Sequence, residues 1–481
     1  MPVFTPGRRY QPPFMPFKRQ PVKKRALAAI ELAVKGPLFG CRMCGNCLLQ
    51  ETALICPMEC PKGLRNGPCG GSTPDRCYVD ESRPCIWYKI YERSFKLGRE
   101  EHLLEVLPPM DWEKAGTDSW GGIIEQAKRV GVGKFVSHLT SGEPDSVPRA
   151  LDSIFQPIRQ PNWWQGDAKY HAPAYSEPVS DLERRLKAGE FVFTAEIAPP
   201  LSIKTDKLRH NIETLKKYAA AVNFTDSASS VPRMSSVACS AIALEMGAEP
   251  VMQISARDKT RVGLQSEVIG ASALGIRNML CLTGDSMALS PGPKGRMDVV
   301  DIDSIQMLWI LRRMRDEGKY LDGREIKHPP KCFLGAAASP FASNMKFQAL
   351  REQKKVNAGA QFFQTNAVFD ADALDEWLNE LAKRDVLDKV YILIGIAPLK
   401  SYRTAKFMND KVPGIFIPDR VMKRMEAAEE KGNADEEGVQ IALELIEKAR
   451  GKQGVNGIHL MAVGWEEIVP RIVEETVGRR Q

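Results

Sequence analysis

The sequence lacks a hydrophobic run long enough to cross a membrane. Its longest nearly apolar stretch, residues 390–399, has half of the ~20 residues that a membrane-spanning helix needs. The N-terminus mixes arginine and proline and has no apolar core of the kind found in signal peptides. We therefore expect a cytoplasmic protein without a membrane span.

The sequence also lacks a basic domain. Residues 1–40 contain eight lysines and arginines and a single acid, and this excess equals the net charge of +7 of the whole chain. Because the rest of the chain is balanced, nucleic acid is not an expected partner. The proline-rich basic segment 1–40 is predicted to be a solvated arm or, alternatively, a docking segment for an acidic partner.

The composition excludes disordered and collagen-like proteins. Hydrophobic residues make up 43% of the chain and charged residues 26%, which is typical of a soluble globular protein. The 481 residues exceed the ~250–300 at which a single core stops growing. The sequence therefore predicts at least two domains.

Eight of the eleven cysteines are crowded between Cys41 and Cys85, and the other three are scattered. Disulfides need an oxidising compartment, and the N-terminus carries no signal for one, so the crowded group is interpreted as metal ligands. The candidate ligands are Cys41, Cys44, Cys47, Cys56, Cys60, Cys69, Cys77 and Cys85.

The spacing of these cysteines points to iron–sulfur chemistry. Three cysteines at intervals of three residues, followed by two Cys-Pro pairs, resemble the way bacterial ferredoxins bind their clusters. Eight thiolates make two sets of four, which favours two 4Fe–4S clusters, with zinc or a mixture as the alternative. Cys41, Cys44 and Cys47 are expected to share one cluster, but spacing does not assign their fourth ligand. The segment is poor in apolar residues, so metal is expected to stabilise it.

From about residue 190, short β-branched runs alternate with amphipathic helical segments, which is the pattern of repeated βα units. Eight strands are predicted, at 191–197, 220–225, 250–255, 278–283, 331–336, 361–366, 390–396 and 457–463. Helices are predicted at 205–218, 302–316, 344–357 and 434–450, among others. Eight such units favour a (β/α)8 TIM barrel over an open sheet.

The predicted organisation has four parts. They are a basic arm at 1–40, a Cys-rich metal-cluster module at 41–130, a connector at 131–188 and the barrel at 189–481. The connector is expected to lie over a neighbouring domain, and its Trp163 and Trp164 are interpreted as packing residues.

Catalytic groups of TIM barrels lie at the carboxyl ends of the strands. Candidates at the predicted strand ends are Glu196, Thr225, Asp226, Ser255, Asp285, Thr365 and Asn366, together with the loop after Gly395. Glu196 ends an apolar strand and is followed by two prolines, so it is expected to be poorly solvated and suited to general acid catalysis. The alternative is a structural glutamate paired with a core arginine.

Several of these residues occur in motifs that resemble methylenetetrahydrofolate reductase, a flavin-dependent barrel enzyme, over roughly 190–478. The motifs are Glu-x-x-Pro-Pro at 196–200, Gly-Ile-Arg-Asn at 275–278, Leu-Thr-Gly-Asp at 282–285, the run from Lys355 to Asp370, and Gly-Ile-Ala-Pro at 395–398. Their order on the expected strands carries the resemblance. Residues 41–130 are similar to the cysteine-rich companion protein of this reductase in acetogens, here fused ahead of the barrel.

The resemblance implies roles for individual residues. Glu196 corresponds to the general acid that protonates N10 of methylenetetrahydrofolate, and Asp285 to the carboxylate that supports the cationic iminium. Asn366, Gln364 and Tyr402 are implied to contact the folate. The implied flavin contacts are Thr225, Gln253, Leu282, Thr283, Gly284, Asp285, Ala337, Ser339, Gln348, Arg351, Lys354 and Lys355.

Three positions depart from the bacterial enzymes of the family. Gln253 and Ser339 stand where those enzymes have histidine, and Thr283 stands where they have arginine. The departures leave open whether the flavin is FAD or FMN. They also leave open whether the electron donor is NADH or a redox partner protein such as ferredoxin. A homo-oligomer or a larger redox complex is expected.

Two other functions fit the same residues. One is a reductase that uses NADH directly and whose Cys-rich module is a docking adaptor. The other is a zinc-stabilised folate-binding barrel that serves a methyltransferase.

Overall fold

The computed structural model describes residues 22–131, 160–287, 300–341, 344–412 and 414–478, with isolated positions 133, 136, 137 and 290. Eight parallel strands form a closed barrel in chain order. They are β1 (Val192–Ile197), β2 (Ala221–Phe224), β3 (Pro250–Ser255), β4 (Asn278–Leu282), β5 (Phe333–Ala338), β6 (Phe362–Ala367), β7 (Tyr391–Ile396) and β8 (Val455–Leu460). The barrel closes through parallel pairing of β1 with β8. The predicted TIM barrel is thus confirmed.

Helices surround the barrel and build the region before it. The helices of the described residues are α1 (Val22–Phe39), α2 (Ile86–Lys96), α3 (Trp120–Val130), α4 (Asp181–Lys187), α5 (Asp206–Leu215), α6 (Ser236–Glu245), α7 (Arg261–Ala273), α8 (Ser304–Asp316), α9 (Met345–Ala358), α10 (Leu374–Ala382), α11 (Tyr402–Lys411), α12 (Asp419–Lys431), α13 (Ala434–Arg450) and α14 (Val469–Gly478). None of these helices is long and apolar enough to cross a bilayer.

The lower half of the barrel is filled by apolar side chains. The rings of Phe333 on β5 and Phe362 on β6 stack with their centroids 4.8 Å apart. Gly335 allows this packing, because a Cβ there would lie 2.2 Å from the Phe362 ring. Leu182 and Leu186 of α4 join the same cluster and close the amino-terminal end of the barrel. This plug leaves the carboxyl ends of the strands as the open face.

The segment before the barrel packs against it. Trp164 is buried, its indole lies 6.3 Å from that of Trp309 on α8, and its Nε1 donates to the carbonyl oxygen of Val106. The interpretation of this tryptophan as a packing residue is therefore confirmed. Residues 138–159 of the predicted connector lie outside the described residues.

Part of the segment that was expected to be a solvated arm is instead a helix. Residues 1–21 lie outside the described residues, but 22–39 form α1, which packs on the Cys-rich segment. Lys35 donates to Glu31 Oε1 at 2.6 Å and to Ser119 Oγ at 2.8 Å, and all three side chains are buried. The basic composition suggested a tail, yet the alanine-rich stretch 26–34 favours a helix with a buried face.

The Cys-rich segment shares a hydrophobic core with the barrel. Leu64, Trp87 and Tyr91 pack with Phe347 and Leu350 of α9. We call residues 22–130 the N-terminal module. Its apolar residues are few, but they are buried against apolar residues of the barrel.

Candidate active site

A cavity of about 610 Å³ opens at the carboxyl ends of the strands. Its walls come from both parts of the chain. The barrel contributes the strand ends and the loops that follow them, and the N-terminal module contributes Cys69, Gly70, Gly71 and Tyr78. A cavity of this size is within the range of small-molecule and cofactor sites.

Glu196 is near the end of β1, with its side chain directed into this cavity. Its Oε2 accepts a hydrogen bond from Gln253 Nε2 at 2.9 Å. His459 Nε2 on β8 lies 3.6 Å from the same oxygen, while His459 Nδ1 lies 3.0 Å from Thr194 Oγ1. The partner of Glu196 is thus a neutral amide with a histidine nearby, rather than the core arginine of the alternative interpretation.

Asp285 follows β4 and is held by two donors. Tyr78 OH donates to Oδ1 at 3.2 Å, and the backbone N–H of Ser229 donates to Oδ2 at 2.6 Å. Burial raises the pKa of Tyr78, and the Asp285 carboxylate raises it further, so the phenol remains a donor. The two carboxylate oxygens are therefore fixed by different parts of the chain.

The loop that presents the Ser229 N–H is strained. Ser227, Ser229 and Ser230 all have positive φ, between 48° and 57°. Arg257 holds this loop by donating to Ser230 Oγ at 2.9 Å and to the carbonyl oxygen of Ser227 at 3.2 Å. Left-handed conformations cost of order 1–2 kcal/mol per residue, and such strain is typically found at functional sites.

Most of the residues implied by the family resemblance line the cavity. Besides Glu196 and Asp285, these are Thr225, Gln253, Leu282, Thr283, Gly284, Ala337, Ser339, Arg351, Lys355 and Asn366. They lie in β1 to β6, in the loops that directly follow these strands, and on α9. The fold therefore brings together positions that are far apart in sequence.

Four implied residues do not line the cavity. Gln348 donates to Tyr88 OH of the N-terminal module, and Lys354 is buried with Asp303 and Glu105 as its nearest opposite charges. Gln364 donates to Thr194 Oγ1 and Asn223 Oδ1 inside the barrel. Tyr402 begins α11 and lies outside the cavity wall.

Some cavity residues were missed by the sequence reasoning. Phe407 and Lys411 of α11 line the cavity where Tyr402 was expected, and Tyr78 enters from the N-terminal module. Phe407 and Lys411 lie one helical turn apart, a spacing that could have been read from the sequence. Tyr78 lies in an irregular segment, and only its position next to Cys77 marks it.

The cavity offers unsatisfied polar atoms to a ligand. Thr225 Oγ1, Ser255 Oγ and Arg351 Nε are buried there without a hydrogen-bond partner among the described residues. Lys355 also lines the cavity, but its Nζ already donates to the carbonyl oxygen of Ala337 at 2.6 Å and pairs with Glu352 at 3.3 Å, and burial lowers its pKa to about 8. Buried groups such as Thr225 Oγ1, Ser255 Oγ and Arg351 Nε are normally paired, and an amphipathic ring with a phosphate-bearing tail would pair them. The residues present therefore fit a flavin.

The eight crowded cysteines form two sets of four. Cys41, Cys44, Cys47 and Cys56 line one small cavity, and their thiols interact electrostatically with one another. Cys60, Cys69, Cys77 and Cys85 interact in the same way within the second set. We call these the outer set and the inner set, because Cys69 of the inner set also lines the barrel cavity.

Burial raises the pKa of thiols in both sets. Burial raises the pKa of Cys41 to about 11 and that of Cys85 to about 12, so metal binding has to displace protons. Buried cations accompany the outer set, since Lys35 Nζ lies 3.6 Å from Cys47 Sγ and Arg65 interacts with Cys44. Across the described residues, which include all eight cysteines, no group of three or more His, Cys, Asp and Glu side chains is arranged to hold a metal ion.

Comparison with known proteins assigns the family. Residues 181–477 match the family model described as methylenetetrahydrofolate reductase. Residues 21–113 match a second model, described as methylene-tetrahydrofolate reductase C terminal. No curated protein sequence gives a significant match.

Several solved structures match part of the chain at low similarity. An uncharacterized protein from Clostridium thermocellum, described as binding two copies of 5-methyl-5,6,7,8-tetrahydrofolic acid, is 16% identical with a TM-score of 0.47, covering 63% of this chain and all of its own. EDTA monooxygenase from Chelativorans sp. BNC1 is 9% identical with a TM-score of 0.38, over 60% of this chain and 94% of its own. Deoxyribose phosphate aldolase from Aeropyrum pernix is 10% identical with a TM-score of 0.29, over 51% of this chain and 92% of its own. Similarities this low assign no ligand or activity here.

The first family model covers more than half of the chain and contains every strand of the barrel. The chain therefore belongs to the methylenetetrahydrofolate reductase family.

Proposed function

We propose that this enzyme reduces 5,10-methylenetetrahydrofolate to 5-methyltetrahydrofolate on a flavin that receives electrons through two 4Fe–4S clusters. The observation that carries the proposal is the position of Cys69, an inner-set cysteine in the wall of the cavity that contains Glu196 and Asp285. A cluster on the inner set would therefore border the flavin and folate site.

The two sets of thiols are the proposed cluster ligands. Cys56 is proposed as the fourth ligand beside Cys41, Cys44 and Cys47, because it lines the same small cavity. The inner set supplies four further thiolates. Thiolate ligation of this kind is typical of 4Fe–4S clusters. The outer set is the entry point for electrons in this proposal, because none of its four cysteines lines the barrel cavity, whereas Cys69 of the inner set does.

The flavin site is proposed at the cavity residues that match the family. Thr225 and Ser255 offer hydroxyls, and Arg351 and Lys355 offer cationic groups to a phosphate. When bound, the flavin would supply a hydride to the methylene carbon, and the clusters would return its electrons one at a time.

Glu196 is proposed as the general acid. Transfer of a proton to N10 breaks the bond between N10 and the methylene carbon and leaves an iminium at N5. Gln253 and His459 are placed to stabilise the carboxylate that remains after the proton has left. Asp285 is proposed to lie beside the pterin, where its fixed negative charge stabilises the cationic iminium before hydride arrives. The reaction consumes two electrons and two protons overall.

A visible spectrum of anaerobically purified full-length protein, with iron and flavin analysis, tests this proposal. We expect a flavin band near ~450 nm on a broad absorbance near ~400 nm, both bleached by dithionite. The reduced protein should then be reoxidised by methylenetetrahydrofolate. Flavin without iron would instead support direct use of NADH. Zinc with neither chromophore would support the folate-binding barrel that serves a methyltransferase.

A further inference from the structure

The N-terminal module contributes a side chain to the cavity, next to Asp285. Tyr78 OH donates to Oδ1 of Asp285 at 3.2 Å, although the two residues are separated by 207 positions in the chain. Tyr78 also lines the cavity itself. The module therefore contacts the carboxylate that the proposed reaction uses to stabilise the substrate cation.

Tyr78 is itself fixed from several sides. Its backbone N–H donates to Ser72 Oγ at 3.1 Å, and Lys62 Nζ lies 5.1 Å from the centroid of its ring. The same Lys62 Nζ donates to the carbonyl oxygen of Gly284 at 2.8 Å, directly before Asp285. The phenol and the backbone of its acceptor are thus tied to one lysine, which restricts how far they can separate.

The geometry of Asp285 shows what this contact does. The Ser229 N–H, in the loop after β2 of the barrel, donates to Oδ2. Tyr78 OH, in the N-terminal module, donates to Oδ1. Rotation of the carboxylate would break one of the two bonds. A carboxylate held by two donors keeps its orientation, so its binding to a substrate costs less conformational entropy.

We propose that Tyr78 is a positioning residue for reduced folate, and that the N-terminal module completes the substrate site by orienting Asp285 through it. This inference rests on the proposed folate reductase function and extends it, because it gives the module a role in substrate binding as well as in electron transfer. Tyr78 itself is not assigned any proton or electron transfer step.

The test measures equilibrium binding of 5-methyltetrahydrofolate to the dithionite-reduced holoenzyme by anaerobic calorimetry, because the product cannot return its hydride to a flavin that is already reduced. Four proteins form a double-mutant cycle: the parental protein, Tyr78→Phe, Asp285→Asn and the double variant. We expect Tyr78→Phe to weaken binding about tenfold in the parental background and by no more than about twofold in the Asp285→Asn background. The flavin content, the iron content and the reduction by dithionite of Tyr78→Phe should match those of the parental protein, because phenylalanine keeps the aromatic ring and its packing.

Tyr218→Phe is the matched control. Its hydroxyl also donates to a carboxylate, Glu474 Oε1 at 2.9 Å, but on the exposed outer side of the barrel. It should bind folate like the parental protein. Parental affinity in Tyr78→Phe, or equal losses in the two backgrounds, would overturn the inference. Failure of the parental protein to bind reduced folate at all would overturn the proposed function, and the inference with it.

Discussion

Lys62 Nζ donates a hydrogen bond to the backbone carbonyl oxygen of Gly284, 2.8 Å away, and so joins the N-terminal module to the residue that precedes Asp285. The Lys62 side chain is buried between the two parts. The module and the barrel are therefore connected at the candidate active site itself, in addition to the apolar contacts of α9.

Replacement of Lys62 by methionine should destabilise the full-length protein. The variant leaves the Gly284 carbonyl without this donor, and a hydrogen bond from a charged group typically contributes about 1.5–3 kcal/mol. We expect the free energy of unfolding in urea to fall by that amount. Lys216→Met is the control, since Lys216 Nζ also donates to a carbonyl oxygen, that of Met246, but from a more exposed position. An equal loss in both variants would contradict a special role for Lys62.

Gly284→Ala should disrupt the cavity. Gly284 has φ of 88°, and a Cβ there would lie 2.1 Å from Ser255 Oγ and 2.9 Å from Arg257 Cβ. The substitution therefore adds a steric clash to the backbone strain of about 1–2 kcal/mol. Gly247→Ala isolates the strain alone, because Gly247 has φ of 73° and a Cβ there has nothing within 4 Å. We expect Gly284→Ala to lose flavin and Gly247→Ala to retain it, as measured by absorbance of the purified proteins.

Flavin binding should weaken as pH rises above about 8. Burial and the neighbouring Arg351 together lower the pKa of Lys355 to about 8, although Glu352 opposes the shift. Lys355 is cationic below this pH and neutral above it, so its attraction for a flavin phosphate is lost as the proton leaves. We expect the flavin Kd to rise by up to about tenfold between pH 7 and pH 9.

Arginine at the same position should remove this dependence, because a guanidinium stays charged throughout the range. Lys354→Arg is the matched control, since burial also lowers the pKa of Lys354 to about 8 but its side chain does not line the cavity. A pH dependence that survives in Lys355→Arg, or disappears in Lys354→Arg, would assign the titration to another group.

The two sets of cysteines should lose iron independently. Replacement of Cys47 by serine removes a proposed ligand of the outer set, and replacement of Cys60 by serine removes a proposed ligand of the inner set. Each variant should retain about half of the parental iron, because clusters on separate ligand sets assemble separately. Cys239→Ser, at a buried position on α6 away from both sets, should retain all of it. Iron analysis of anaerobically purified proteins would contradict the grouping if either ligand variant kept its full iron content.

The barrel could be predicted from the sequence because each strand is a short buried run bounded by turn residues. All eight observed strands begin and end within three residues of the predicted bounds. The largest shift is at β8, where the predicted segment 457–463 includes residues of the loop that follows. Side-chain periodicity records burial, but it does not mark where pairing with a neighbouring strand stops.

The site was only partly predictable, and α9 shows why. Arg351 and Lys355 lie one turn apart and line the cavity, whereas Gln348 and Lys354 on the same helix face other surroundings. A helix that packs against both the barrel and the N-terminal module is buried on several faces, so polarity alone does not identify the face that meets a ligand. The placement of Cys56 with the outer set and the contact between Tyr78 and Asp285 depend on tertiary structure that spacing does not encode.

Glu196→Gln followed by stopped-flow spectroscopy tests the central claim most directly. The change keeps the size of the side chain and removes its ability to donate a proton as an acid. Flavin binding and its reduction by dithionite should be nearly unchanged. Reoxidation of the reduced protein by methylenetetrahydrofolate should slow by ~10²–10⁴, the contribution of a positioned general acid. Glu213→Gln, on the outer face of α5, is the control and should react at the parental rate. Reoxidation of Glu196→Gln at the parental rate would show that Glu196 is a structural carboxylate and would contradict the mechanism.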